Sequence, residues 1–282
     1  MPLQLITPPS AEPIHLKEAL AQIKQFDGFD DAAVLSAISA ARLFAENKTW
    51  RQLVAARYKQ TLDCFPGHGQ SGVPWGRTFG IPGNAIVLDK APVLQVESIM
   101  YLDMGGVTQT VDPATYTVDY SCDPCRITPT FGRIWPISLP QIVSAWVTFS
   151  AGFAAPIAAD ITANTLTIKT WKTLLLGDAV RFSNSGGILP APLQLNTDYF
   201  IVASPGVGVY QVSATVGGSV IDLMGAGSGT SYIGELPADI LAWMRLRIGS
   251  LYAYREEAIA LPRGKIEELP FFDGLLDGYS TW

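Results

Sequence analysis

From Trp50 onward the chain changes period. Runs such as "LVAARYKQTLDCF", "AIVLDKAPVLQVESIMYLD", "VTQTV", "TYTVDYS" and "VSAWVTFSAGF" alternate apolar with polar residues and stop at Gly, Asn, Asp or Pro. That is the pattern of half-buried antiparallel strands, and helical spacing is confined to the two ends of the chain. One place breaks the order. In "SAGFAAPIAADITANTLTIK" (150–169) a strand runs out at Phe153, a helix is about to begin, and Thr-rich strand sequence appears instead. The helix arrives at "LPADILAWMRLRIGSLYAY", which repeats the Pro and Ala-Asp-Ile pattern of "APIAADI".

At the N-terminal end, "PIHLKEALAQIKQF" spaces Leu16, Leu20 and Ile23 as one face of a helix. His15 stands at the N-cap, with Glu18 three residues on and Ile14 placed as a staple, so His15 reads as a helix-start residue rather than a catalytic base. A second helix follows Asp30 and Asp31. Its Ala33, Ala37, Ala40 and Phe44 share one face, and Val34, Ile38, Ala41 and Ala45 another. The last helix, from 237 to about 257, carries Ile240, Met244, Ile248 and Leu251 on one face and Trp243, Arg247 and Tyr254 on a second. Two apolar faces require two partners, the chain's own core and either a neighbouring subunit or a second surface of the same domain.

Composition bears on the same point. Of 282 residues 48% are hydrophobic and 16% charged, against roughly 25% charged in an average soluble chain. A chain so short of charge aggregates, spans a membrane, or covers part of its surface with copies of itself. The uncharged runs 134–159 and 199–221 are long enough to cross a bilayer, but their prolines, glycines and alternation make them strands. The start "MPLQLITPPS" has no basic segment followed by an apolar core, so a soluble protein made in the cytoplasm is expected.

Chemistry is sparsely supported. Cys122 and Cys125 have the spacing of a zinc knuckle or redox pair, to which Cys64 and His68 can be added, but "SCDPCRI" lies between strands, where Asp-Pro is ordinary turn sequence. "GHGQSG" (Gly67, Gly69, Gly72) has the letter of a dinucleotide loop, yet it opens no helix and runs into "VPWGRTFGIPGN". No metal, cofactor or catalytic residue is expected. Glu256-Glu257 and Glu267-Glu268 read as solvated surface.

The succession of parts resembles the head-to-tail adaptor family of tailed bacteriophages, also called head-tail connector or head-completion proteins. The residues that carry it are "EPIHLKEALAQIKQF", the Asp-started Ala-rich helix "DDAAVLSAISAARLFAEN", the strands of "IVLDKAPVLQVESIMYLDMGGVTQTVDPATYTVD", "RITPTFGRIWP" and "AWVTFSAGF", and the Pro-Ala-Asp-Ile helix. The resemblance covers residues 1 to about 155 and resumes near 235. It implies an α+β fold: a helical core of two N-terminal helices and one C-terminal helix, joined to an antiparallel sheet.

In that family the strand ending like "TFSAGF" leads to the last helix through a short link, so 157–235 reads as an insertion, a small all-β sandwich or barrel. The expected organisation is an adaptor domain at 1–156 completed by 236–260, the inserted domain at 157–235, and a C-terminal tail at 261–282. The resemblance further implies a non-catalytic virion protein at the head-tail neck. It would form a ring, usually twelvefold in the family, between the portal protein and a stopper or tail-completion protein, with the genomic DNA passing through the lumen. Trp243, Arg247, Tyr254, Ala37 and Phe44 are the candidates for contact between subunits. The tail residues Phe271, Phe272, Leu275, Leu276, Tyr279 and Trp282 are the candidates for portal docking, the competing arrangement being a tail folded back on its own domain. A different reading makes the chain a tail or baseplate module whose β-insertion binds host carbohydrate.

A net charge of −6 with scattered Lys and Arg argues against gripping nucleic acid, because phosphate affinity is carried by clustered cations. Isolated protein is therefore expected not to retard duplex DNA in gel-shift titrations even at low salt. Tight, salt-sensitive binding would contradict a lumen that lets DNA pass.

Overall fold

The computed structural model describes residues 2–25, 30–67, 82–168, 173–253 and 270–280, the last stretch with side chains from residue 274 on. The chain is α+β, and its strands pair antiparallel in three sheets. It divides into two compact units, Met1–Pro9 with Ala55–Gly152, and Ser10–Val54 with Phe153–Trp282.

The first unit holds β1 (Leu3–Thr7), β2 (Ala56–Leu62), β3 (Ile86–Val87), β4 (Val93–Leu102), β5 (Thr108–Thr110), β6 (Tyr116–Asp119), β7 (Arg126–Pro129) and β8 (Ala145–Ala151). Five form a sheet in the order β1-β2-β8-β4-β5 and three another in the order β3-β7-β6. Tyr58, Phe65, Ile99, Ile127, Val147 and Phe149 are buried in their common core. Gln60 sits in that core without a solvation penalty: its Nε2 donates to the Val87 carbonyl at 2.7 Å and its Oε1 accepts from Asp89 N at 2.8 Å. The Gly105-Gly106 turn between β4 and β5 forms as expected, closed by Gly106 N to Asp103 O at 2.9 Å.

In the second unit the strands are β9 (Ala154–Asp160), β10 (Thr165–Ile168), β11 (Ala179–Val180), β12 (Phe182–Ser185), β13 (Tyr199–Gly206), β14 (Val209–Ser213) and β15 (Thr230–Gly234). Their order is β11-β13-β14-β10-β9-β15-β12. The two outermost strands of that order, β11 and β12, are separated in sequence by Arg181 alone. The sheet therefore rolls round on itself and meets at this residue, enclosing Phe182, Leu166, Ile201, Tyr210 and Val212.

The segment that promised a helix at 154–160 is strand β9, and it straddles residues 156 and 157. Tertiary pairing overrides its Ala-rich composition: the first half pairs with β15 and the second with β10, Ile157 meeting both. Pro156 lies in the half paired on one side only, where a residue without an N–H costs no ladder bond.

Four helices complete this unit: α1 (Leu16–Ile23), α2 (Asp31–Thr49), α3 (Ala238–Ala253) and α4 (Pro270–Asp277). Ile14, Val34, Ile38, Ala41, Ala45, Ile240, Trp243, Met244 and Ile248 make their buried core. His15 caps α1 as its position implied, its Nδ1 accepting from Lys17 N at 3.2 Å. Glu18 does not close a capping box. Its carboxylate lies between Arg245 of α3, whose Nε donates at 2.9 Å, and Arg181 at the seam of the barrel, whose Nη2 donates at 3.1 Å. Arg181 also donates to Asp198 at 2.5 Å and to the Pro13 carbonyl at 2.9 Å. Two arginines and one carboxylate thus join the helices to the barrel.

Burial disfavours the Glu18 charge, but the hydrogen bonds from Arg245 and Arg181 outweigh it and hold the carboxyl below its ordinary range. A carboxyl group lowered in the folded state adds stability above its unfolded pKa and loses it as pH falls through the folded value. Glu18→Gln is expected to lower stability near neutral pH by about 1–3 kcal/mol. In urea titrations the gap from wild type should close as the pH drops below about 4. A gap that persists in strong acid would show that the charge of Glu18 is not what matters.

Candidate functional site

Helix α2 is assembled inside out. Its buried side includes Arg42 and Glu46 as well as Val34, Ile38, Ala41 and Ala45. Its exposed side shows Leu35 (48% exposed), Leu43 (50%) and Phe44 (42%), followed by Trp50 (66%) just past the last turn. The remaining exposed residues of the helix, Ala32, Ala33, Ser36, Ala40 and Asn47, are uncharged too. A solvent-facing helix normally carries its charges outward.

The inward charges are fully engaged. Arg42 Nε donates to Glu12 Oε2 at 2.8 Å and Nη1 to Glu46 Oε2 at 3.0 Å. Ser39 Oγ donates to Glu12 at 2.9 Å, and Glu46 Oε1 accepts from Gln52 Nε2 at 2.7 Å and Leu53 N at 3.1 Å. Burial alone would depress the Arg42 pKa, yet hydrogen bonding to Glu12 and the nearby Glu46 hold it above its usual value. The network fixes polar atoms on the buried side of the helix beside Val34, Ile38, Ala41 and Ala45, while Leu35, Leu43 and Phe44 stay outside.

The residues picked out as inter-subunit candidates fall into three groups. Phe44 is exposed and Ala37 half-buried on the outer side of α2. Trp243 is wholly buried in this chain's own core, its ring stacked on Phe44 at 5.6 Å, so it supports the surface from behind and does not reach a neighbour. Arg247 lies over the Phe44 ring at 4.8 Å. Tyr254 lies outside the described residues. Leu35, Leu43 and Trp50 were not singled out from sequence; Leu43 stands directly before Phe44 and falls off the Val34, Ile38, Ala41 and Ala45 face, which is the signal that would have found it.

The tail is partly corrected. Pro270–Asp277 is a helix, with Leu276 buried and Leu275 and Tyr279 packed against the helical core. The Tyr279 ring meets Phe153 edge-on at 6.1 Å and its carbonyl accepts from Arg51 Nε at 2.6 Å. Apolar burial accounts for this fold-back, so these three side chains serve their own domain. The side chains of Phe271 and Phe272, and all of Trp282, lie outside the described residues.

A second exposed apolar region belongs to the first unit. The β4–β5 turn presents Met104 and Val107, and the loop before β8 presents Ile137, Ile142 and Val143. Backbone bonds hold the two together, Leu102 N to Ser144 O and Leu139 N to Leu102 O, both 2.8 Å. Val143 is in the left-handed region at φ 56°, unusual for a β-branched residue, with its N–H held by Asp63 Oδ1 at 2.9 Å.

Among the described residues no three His, Cys, Asp or Glu side chains lie together as a metal site. Cys64, Cys122 and Cys125 are free thiols. Burial pushes the Cys125 thiol up to about 12, with Asp119 adding to it. His68, Gly69 and Gly72 fall outside the described residues. Among those described, no helix is long and apolar enough to cross a membrane.

No protein-family model matches the sequence, and no curated protein is significantly similar to it. Solved structures share the fold. One is a chain from the neck of an empty GTA particle computed with C6 symmetry, 17% identical, with a TM-score of 0.52 over 100% of this chain and 96% of that one. Another is from the virion of a native gene transfer agent particle, also 17% identical, with a TM-score of 0.51 over the same shares. The likeness spans the barrel as well as the helices and the first unit.

Arg42→Ala leaves the buried Glu46 and the half-buried Glu12 without their cation. Its expected cost is about 3–5 kcal/mol in urea unfolding. A loss below about 1 kcal/mol would mean the network behaves like an exposed ion pair and does not set the orientation of α2.

Proposed function

We propose that this chain is a structural component of a tailed-phage neck, a ring-forming adaptor between the portal protein and a stopper or tail-completion protein, with the genome passing through its lumen. The observation that carries this reading is the inverted α2, which buries Arg42 and Glu46 while exposing Leu35, Leu43, Phe44 and Trp50. Exposed apolar side chains gathered on one helix mark a surface that a partner covers, and a cyclic assembly supplies such a cover on every copy. The shared fold with chains of gene-transfer-agent necks supports it, one of those necks having been computed with C6 symmetry. The role needs no catalytic residue, metal or cofactor. Portal docking by the C-terminal segment then rests on residues other than Leu275, Leu276 and Tyr279, which the helical core already engages.

Native mass spectrometry of the full chain, alone and mixed with the portal protein of the same particle, tests the reading. The expected species is a closed ring of about twelve copies, formed alone or on the portal. A 30.3 kDa monomer that persists at high concentration and in the presence of portal would overturn it.

A further inference from the structure

We propose that neighbouring copies join through two different patches, the α2–α3 face of one copy seating on the Met104–Ile142 end of the first unit of the next. This rests on the ring reading above and specifies its interface. The first patch is Leu43 and Phe44, with Trp50 past the last turn of α2 and Arg247 over the Phe44 ring. The Arg247 Nε is buried and has no acceptor, and among the described residues the guanidinium contacts the Phe44 ring and no carboxylate. An unpaired cation beside an apolar surface calls for an anion from whatever covers it.

The second patch has that character. Met104, Val107, Ile137 and Ile142 are exposed on segments tied together through Leu102. Two carboxylates accompany them. Asp103 accepts from Gly105 N and Val107 N at 2.9 Å and from Gln109 Nε2 at 2.9 Å, and Asp63 accepts from Val143 N at 2.9 Å. Neither has a cation partner among the described residues, so both keep their negative charge available. The two patches match in apolar character and oppose in sign. Pairing α2–α3 with itself about a twofold axis would instead cover both Arg247 groups with apolar surface and without the Asp103 and Asp63 carboxylates, which is unfavourable. The fit favours head-to-tail contact, the kind that closes a ring.

The test uses a photo-crosslinking residue, benzoylphenylalanine, at position 43, in a mixture of unlabelled and nitrogen-15-labelled full-length chains, on the assembly that sizing isolates. Cross-links joining labelled to unlabelled copies are expected to land at 103–107 or 137–143. A second measurement uses Leu43→Glu and Met104→Glu, both at exposed positions and each expected to weaken assembly roughly 30-fold, the size of a hot-spot loss. Alone, each should stay monomeric with wild-type melting. Mixed, each still offers one intact patch, and they should form a one-to-one dimer that stops there. Rings whose cross-links from position 43 land elsewhere, or well-folded variants that remain monomeric when mixed, overturn this pairing and leave the ring reading standing. A wild-type chain that yields no assembly and no inter-chain cross-link overturns both.

Discussion

Glu18 is held by two arginines from distant parts of the chain, and the second unit is organised around that junction. Arg245 comes from α3, and Arg181 is the residue at which the rolled sheet meets itself between β11 and β12. A curved sheet has its weakest point where its first and last strands approach, because closure there does not come from a long ladder. Here the Gly234 N–H bonds the Arg181 carbonyl at 3.2 Å, and the Arg181 side chain reaches Asp198, Glu18 and Pro13. The residue that completes the barrel is the one that attaches it to the helices. Barrel closure and helix docking therefore share one side chain.

Helix α2 depends on the same logic in reverse. Polar atoms usually mark the outside of a helix, and an Arg and Glu spaced by four residues read as a solvated pair. Here Arg42 and Glu46 face Glu12, Gln52 and the Leu53 amide, so the connection from α2 into the first unit's β2 begins from a tightly bonded corner. Fixing the helix by its charges sets its rotation, and the rotation decides which apolar residues remain outside. Trp243 then backs Phe44 with a flat, buried ring, giving the exposed aromatic a defined position.

What could be read from sequence was what is local. The period change, the His15 cap, the two faces of α2 and the Gly105-Gly106 turn rest on neighbours within a few residues, and each has its counterpart in the structure. What could not be read depends on partners far away. Glu18 looked like half of a capping box until Arg181, 163 residues on, took its carboxylate. Strand β9 looked like the start of a helix because alanine favours one, and only β10 and β15 make it a strand. Strand β1 is five residues at an edge, too short to show a period, and α4 resembled a free arm until Leu276 found the helical core. Of the candidate surface, Phe44 and Ala37 were legible from their spacing, whereas Trp243 was assigned outward because helix periodicity does not say which of two apolar faces the core takes.

Helices α2 and α3 share a core although α2 ends at Thr49 and α3 begins at Ala238. Translation at about 5–20 residues per second therefore leaves α2 without its packing partner for roughly 10–40 seconds. Throughout that interval the face bound for α3 has only α1 to pack against, and the side that stays outside in the finished chain is bare. Nascent chains crowded on one messenger thus carry a bare apolar helix, a site for sticking to each other, before any barrel exists to bring α3 back.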